Sequence, residues 1–240
     1  MRSREKFLSQ CKGIFMGIIL DIRKDLQVDP PLVSVAPIGL TSKRMIDIAL
    51  ALIGIILLAP LLIICFALTR VSSSGPAIFR HRRVGFGGKL FECLKFRTMA
   101  VDAPERLRKL LDEDPVAAAE WAECQKLRND PRITPIGAIL RKSSLDELPQ
   151  LFNVLKGDMS IVGPRPVTEE ELSRYGASAK AYAACRPGIT GLWQVSGRSS
   201  TSYKTRVACD TYYARMWSLS LDVKIMIVTI PSVLFTDGAH

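Results

Sequence analysis

One stretch interrupts the polar rhythm of the chain: Ile48 to Leu68 carries no charged residue. It has roughly the 20 residues that a membrane-crossing helix needs. Two features complicate a straight span. Pro60 lies near the middle, where proline removes a helical hydrogen bond and kinks the chain. Both flanks are basic, with Lys43 and Arg44 before the run and Arg70, Arg80, Arg82 and Arg83 after it. The positive-inside rule therefore does not assign the two ends to opposite sides. A straight span and a helix that bends at Pro60 and returns to its own side both remain open at this point.

Beyond the apolar run, Ala77–Val84 and Lys89–Arg97 read as two strands around Gly85–Gly88, a hairpin. Ala103–Leu127 reads as two helices, the second started by Asp114 as N-cap and Pro115 at its first turn. Ser144 to Glu147 fits a capping box, and Pro149 restricts the helix start to its vicinity, so Asp146 and Glu147 sit at or just before a helix N-terminus. Thr168 to Glu171 is a second capping box, opening a helix that ends near Gly176; its glutamates read as a solvated helix start. Arg186–Arg198 reads as a loop, and Thr201–Leu234 as two helices. The second of these is apolar nearly all round, which suits either the core or the bilayer interface. Near the start, Gly13–Leu20 is too short to span a bilayer and reads as amphipathic, and Asp29–Pro37 as a proline-rich connector. The pattern divides the chain into a linker-like segment (1–40), a membrane segment (41–72) and a catalytic or binding region (73–240). The fold class is α+β and helix-rich, membrane-associated, with a small β-hairpin.

Composition sharpens this picture. A net charge of +10 calls for acidic partners: phosphates, nucleic acid or an anionic membrane surface. With 48% hydrophobic residues and no recognisable nucleic-acid module, the membrane surface is favoured and nucleic acid is not expected. The cysteines show no CxxC spacing, which argues against a zinc site and fits a reduced, cytosol-facing protein. The only histidines, His81 and His240, argue against a Ser-His-Asp hydrolase.

The candidate chemistry lies in Leu140–Pro166, LRKSSLDELPQLFNVLKGDMSIVGPRP. Asp146 and Glu147 are adjacent carboxylates among Arg141, Lys142, Lys156 and Arg165, and Gly163, Pro164 and Pro166 make a stiff turn around Arg165. Carboxylates among cations suit phosphoryl transfer, in which aspartate serves as nucleophile or as a Mg²⁺ ligand. The plainer alternative is that the pair caps a solvated helix. Near Trp193, Gln194 and Arg198 are candidates to hold a nucleotide; Trp193 itself reads equally as a base-stacking residue or a core anchor.

This chain closely resembles the bacterial monotopic phosphoglycosyl transferases, from about Lys43 to Ile230. The matching segments, in order, are KRMID, GPAIFRHRRVG, KFRTM, DPRITPIG, LRKSSLDELPQLFNVLKGDMSIVGPRP, RPGITGLWQVSGR and WSLSLDVKI. The resemblance implies a re-entrant helix-break-helix in the membrane segment, although Ala59 stands where the family often has serine before the proline. It implies transfer of a sugar-1-phosphate from a UDP-sugar to polyprenyl (undecaprenyl) phosphate with release of UMP, initiating an exopolysaccharide or related glycan. Asp146 would be the nucleophile and a ligand of Mg²⁺, with Mn²⁺ as a substitute. Glu147 would act as a neighbouring acid/base or positioning group. Lys95, Arg141 and Arg165 would neutralise phosphates. The enzyme would work among inner-membrane lipids on the cytoplasmic face. His81 and Arg82 depart from the family pattern, where glutamine and glutamate are common, and take no role. The rival class is a non-catalytic, membrane-anchored basic docking protein, which explains the charge and the apolar run but not the carboxylates among cations. The oligomeric state is not indicated.

Overall fold

In the computed structural model, which describes residues 36–124, 127, 129–196 and 202–234, the apolar run forms one long helix, α1 (Leu40–Ser72), with Pro60 inside it. The Gly13–Leu20 segment and Arg198 lie outside the described residues. There follow β1 (Ile78–Val84), a 3₁₀ turn (Phe86–Gly88), β2 (Leu90–Phe96), α2 (Ala103–Glu113), α3 (Pro115–Cys124) and α4 (Pro135–Lys142). A second 3₁₀ turn (Leu145–Glu147) leads to α5 (Gln150–Lys156), β3 (Ser160–Val162), α6 (Glu169–Ser173) and α7 (Ala179–Ala183). The described chain closes with β4 (Gly188–Thr190), α8 (Leu192–Val195), α9 (Tyr203–Met216) and α10 (Leu219–Leu234). The fold is helix-rich, with two two-stranded sheets, β1–β2 and β3–β4. The expected hairpin is β1–β2, and the Gly85–Gly88 turn closes it with the Gly85 amide donating to the Lys89 carbonyl (2.7 Å).

Two compact units share the chain. The first takes the described residues up to Ile56, His81–Cys93 and those from Gln150 onward. Its main core gathers Val162, Leu192, Cys209, Tyr213 and Ile225, with a second cluster of Ala51, Phe91, Leu151, Val154 and Met159. The KRMID residues are tied into this unit one by one. Lys43 pairs with Asp222 at 2.6 Å, and Asp222 also accepts from Tyr213 (2.7 Å) and the Trp217 indole (3.0 Å). Arg44 donates to the carbonyls of Val154 (2.5 Å) and Leu155 (2.8 Å), near the C-terminal end of α5. Asp47 accepts from the Ser160 hydroxyl (3.0 Å) and the Ile161 amide (2.9 Å). Helix α10 buries Leu221, Asp222, Ile225 and Val228 while exposing Leu219, Val223, Ile227 and Ile230, so it has a core face and an outward apolar face.

The expected loop over Arg186–Arg198 is corrected here. Its first part is β4, parallel to β3 with Ser160 opposite Gly188 and Val162 opposite Thr190, and its second part is α8. Glycines make this pairing possible. A Cβ on Gly188 would lie 2.1 Å from the Gly163 nitrogen, and one on Gly191 would lie 2.1 Å from the Gly163 carbonyl oxygen. The GPRP and RPGITG segments thus interlock by backbone contact that only glycine permits. A three-residue strand flanked by glycines has too little periodicity to announce itself.

The second unit takes Leu57–Arg80 and Leu94–Pro149. Its core is Cys65, Phe96 and Leu140, joined by Leu61, Leu62, Ile78, Ile136, Leu145 and Leu148. Asp114 caps α3 as expected, its carboxylate accepting from the amides of Val116 (2.8 Å) and Ala117 (3.1 Å). Thr134 caps α4 by accepting from the Gly137 amide (2.9 Å), with Pro135 in the first turn. Gly137 sits so close to the KFRTM segment that a Cβ there would lie 2.0 Å from the Thr98 carbonyl oxygen. Arg132 pairs with Asp130 at 2.6 Å and lies 4.7 Å from the centroid of the Trp121 ring.

Candidate active site

The capping box expected at Ser144–Glu147 does not form. Ser144 takes a left-handed conformation (φ 57°) and makes no side-chain cap bond. It turns the chain sharply after α4 so that Leu145 and Leu148 reach the core around Phe96. Glu147 reaches not back to Ser144 but across to Lys95, with Nζ and Oε1 2.6 Å apart. A non-glycine residue in this conformation stores backbone strain, and such strain clusters at functional sites. As expected, the carboxylates precede a helix, α5.

Around this turn four of the residues singled out from the sequence come together within the second unit. Asp146 is half-buried, and burial pushes its carboxyl up to about 6. Lys95 and Arg141 oppose that rise, and Glu147 adds to it. Arg141 is held by its Nε, which donates to the Thr98 hydroxyl at 2.9 Å. Burial lowers the Arg141 guanidinium, while Asp146 and Asp130 stabilise its charge. Lys95 holds Glu147 in a short ion pair, whereas at Asp146 the effect of burial outweighs that of the neighbouring cations. Among the described residues no group of three His, Cys, Asp or Glu side chains converges.

Arg165 and Gln194 belong to the first unit. The Arg165 guanidinium lies 5.8 Å from the centroid of the Trp193 ring, and the buried Arg206 lies 5.0 Å from it. Trp193 is half-buried against the core, so it is at once a packing residue and a platform for two cations. Gln194 donates to the Ile189 carbonyl (3.2 Å), bracing its side chain against β4. The capping box at Thr168–Glu171 forms as expected, but Glu171 is more than a solvated helix start. It pairs with Arg83 (2.9 Å) and Arg206 (3.4 Å). Despite burial, the Thr168 amide and the charges of Arg206, Arg83 and Arg165 lower its carboxyl. Sequence reasoning missed Arg83, Arg206 and this role of Glu171. The available signal was the N3 position of the capping box, which fixes the side chain, together with an unexplained excess of arginine.

Residues 38–236 match the model of the family described as bacterial sugar transferase. An exopolysaccharide production protein ExoY from Sinorhizobium fredii is 47% identical over 207 residues, covering 86% of this chain and 92% of the relative. An undecaprenyl-phosphate galactose phosphotransferase from Salmonella typhimurium is 51% identical over 199 residues, 82% of this chain but 41% of that longer relative. A UDP-glucose:undecaprenyl-phosphate glucose-1-phosphate transferase from Caulobacter vibrioides is 43% identical over 208 residues, covering 82% of this chain and 72% of the relative. The chain therefore belongs to the bacterial sugar transferase family, and it is an enzyme of the phosphoglycosyl transferase kind that the order of its motifs anticipates.

Proposed function

We propose that this enzyme transfers a hexose-1-phosphate from a UDP-hexose to polyprenyl phosphate, releasing UMP and beginning an exopolysaccharide or related glycan. The observation that carries the proposal is Asp146, a half-buried, incompletely neutralised carboxylate beside Lys95, Glu147 and Arg141. The names of the Salmonella and Caulobacter relatives support the acceptor and a hexose donor.

In this reading an oxygen of Asp146 attacks the phosphorus that bears the sugar. The bond from that phosphorus to the bridging oxygen breaks, and UMP leaves with the electron pair. An aspartyl-phosphosugar remains. A phosphate oxygen of the lipid then attacks the same phosphorus, and Asp146 departs as a carboxylate. Arg141 and Lys95 offset the charge that gathers on the phosphoryl oxygens, and Arg165 is assigned to the phosphates as well. Glu147, paired with Lys95, keeps that ammonium oriented. Gln194 is assigned to the nucleotide, as is Arg198. The incompletely compensated charge of Asp146 fits a hard divalent cation: Asp146 would hold Mg²⁺ or Mn²⁺ together with donor phosphate oxygens, and the ion would supply further charge neutralisation.

Helix α1 is proposed to enter the cytoplasmic leaflet and return. Its central residues Leu52, Ile53, Ile56, Leu57, Ile63 and Ile64 are exposed and apolar. Lys43, Arg44 and Asp47 at one end are bonded within the first unit, and Cys65 toward the other end packs within the second. Water-facing parts of the chain at both ends suit either path; the return is proposed because Pro60 lies inside the helix and basic residues flank both of its ends. The direct experiment incubates the purified protein with polyprenyl phosphate and a panel of UDP-glucose, UDP-galactose and their N-acetylated counterparts, following UMP and lipid product. A hexose donor is expected to give both products; no product with any donor would refute the proposal.

A further inference from the structure

We propose that Thr98 is a positioning residue: its hydroxyl fixes the Arg141 guanidinium beside Asp146 and so sets the electrostatic environment in which the donor phosphate is attacked. The inference rests on the reading of Asp146 and Arg141 given above. A long, flexible arginine contributes to a transition state only if something holds its fork in place beforehand.

Thr98 is built to do so. It is buried, and its backbone is locked to the start of α4 from two directions. Its carbonyl accepts from the Thr134 amide at 3.0 Å. The same carbonyl is approached so closely by Gly137 that a Cβ there would lie 2.0 Å from it. The hydroxyl of Thr98 is thereby fixed relative to α4, the helix that carries Arg141 seven residues after the Thr134 cap. It accepts from Arg141 Nε at 2.9 Å, leaving the outer nitrogens of the guanidinium for the anionic side of the site. Asp130, itself paired with Arg132, stabilises the same guanidinium. The strand end from Lys95 to Thr98 therefore reaches the Arg141–Glu147 stretch at two points: Lys95 grips Glu147 and Thr98 grips Arg141. The charged groups that act on Asp146 are Lys95 from the strand, Glu147 from its own turn and Arg141 from α4. Two of the three are oriented by this one strand end.

The test uses the full chain labelled with ¹⁵N-arginine, with the Arg141 Nε–H signal assigned by its loss in Arg141→Gln. Its exchange with solvent is followed in the wild type, Thr98→Val and Thr98→Ser, with Thr98→Ala replacing the valine variant if that one does not fold. Removing the acceptor frees the Nε–H, so exchange should quicken about tenfold, and serine, which keeps the hydroxyl, should restore the wild-type rate. Single-turnover UMP release should slow about tenfold in Thr98→Val, recover in Thr98→Ser and fall no further when the valine change is added to Arg141→Gln. An unchanged Arg141 signal in Thr98→Val, or an equal further loss of rate with Arg141 already removed, would overturn the proposal. The exchange measurement needs no substrate, so inactivity of the wild type toward every UDP-sugar would count against the proposed function and not against this role of Thr98.

Discussion

The proposed chemistry concentrates on Asp146, whose environment gives it a measurable signature. Its folded carboxyl is raised from 3.8 to about 6 by burial. A carboxyl with a raised value favours the folded state when protonated, so its contribution falls as pH rises from about 4 to about 6 and the ionised form is a burden above that. At one pKa unit per 1.36 kcal/mol that burden is at most about 3 kcal/mol. Asp146→Asn should therefore raise stability at pH 7.5 by about 1–3 kcal/mol in denaturant unfolding, with little effect near pH 4, while abolishing turnover. Equal or lower stability at pH 7.5 would contradict the burial argument. The same group should give kcat/KM an acid limb near pH 6, because only the carboxylate attacks; a rate constant that stays flat down to pH 5 would remove Asp146 from the rate-determining chemistry. If Asp146 also holds the cation, EDTA should eliminate activity and Mg²⁺ restore it, whereas full activity after rigorous chelation would refute the metal. Which carboxylate would be the more burdened was not legible in the sequence. DE is symmetrical as text, and only the Lys95–Glu147 pair breaks the symmetry.

At the scale of elements, strong local signals transferred well and weak ones did not. The hairpin turn, the Asp114 cap and the Thr168–Glu171 box each have a short-range cause, and each formed where expected. Ser144–Glu147 has the same short-range signature, yet tertiary demands outweigh it: Leu145 and Leu148 are needed in the core and Glu147 is drawn to Lys95. The β3–β4 pair depends on contacts between segments far apart in sequence, and its glycines were read as loop formers rather than as sites of close approach. These glycines yield a prediction. Gly137→Ala and Gly188→Ala would drive a methyl group into backbone rather than into a flexible side chain. Each should cost roughly 3 kcal/mol or more in thermal or denaturant unfolding. Gly87→Ala meets nothing within 4 Å, and its cost should be limited to the positive φ of 66°. Similar losses at all three positions would show that the close approaches are not what selects glycine.

For the whole molecule, the central question is how a soluble nucleotide sugar and a lipid phosphate meet. An apolar helix with basic ends was readable from hydropathy and charge alone; its path in the bilayer was not, because Pro60 is compatible with both a kinked span and a return. Cysteines placed beside Lys43 and Arg70 should react equally with an impermeant thiol reagent in sealed vesicles if α1 returns to its own side. Unequal access would establish a span, and Pro60→Leu should push the helix toward that outcome. The covalent route through Asp146 is tested most directly by intact-protein and peptide mass spectrometry after incubation with Mg²⁺ and a hexose donor in the absence of any lipid. A covalent route gives near-stoichiometric UMP and a mass gain of one hexose phosphate on the peptide bearing Asp146, absent in Asp146→Asn and retained, though formed slowly, in Glu147→Gln. UMP release that strictly requires polyprenyl phosphate, with no adduct on Asp146, would contradict it and leave direct transfer between the two substrates.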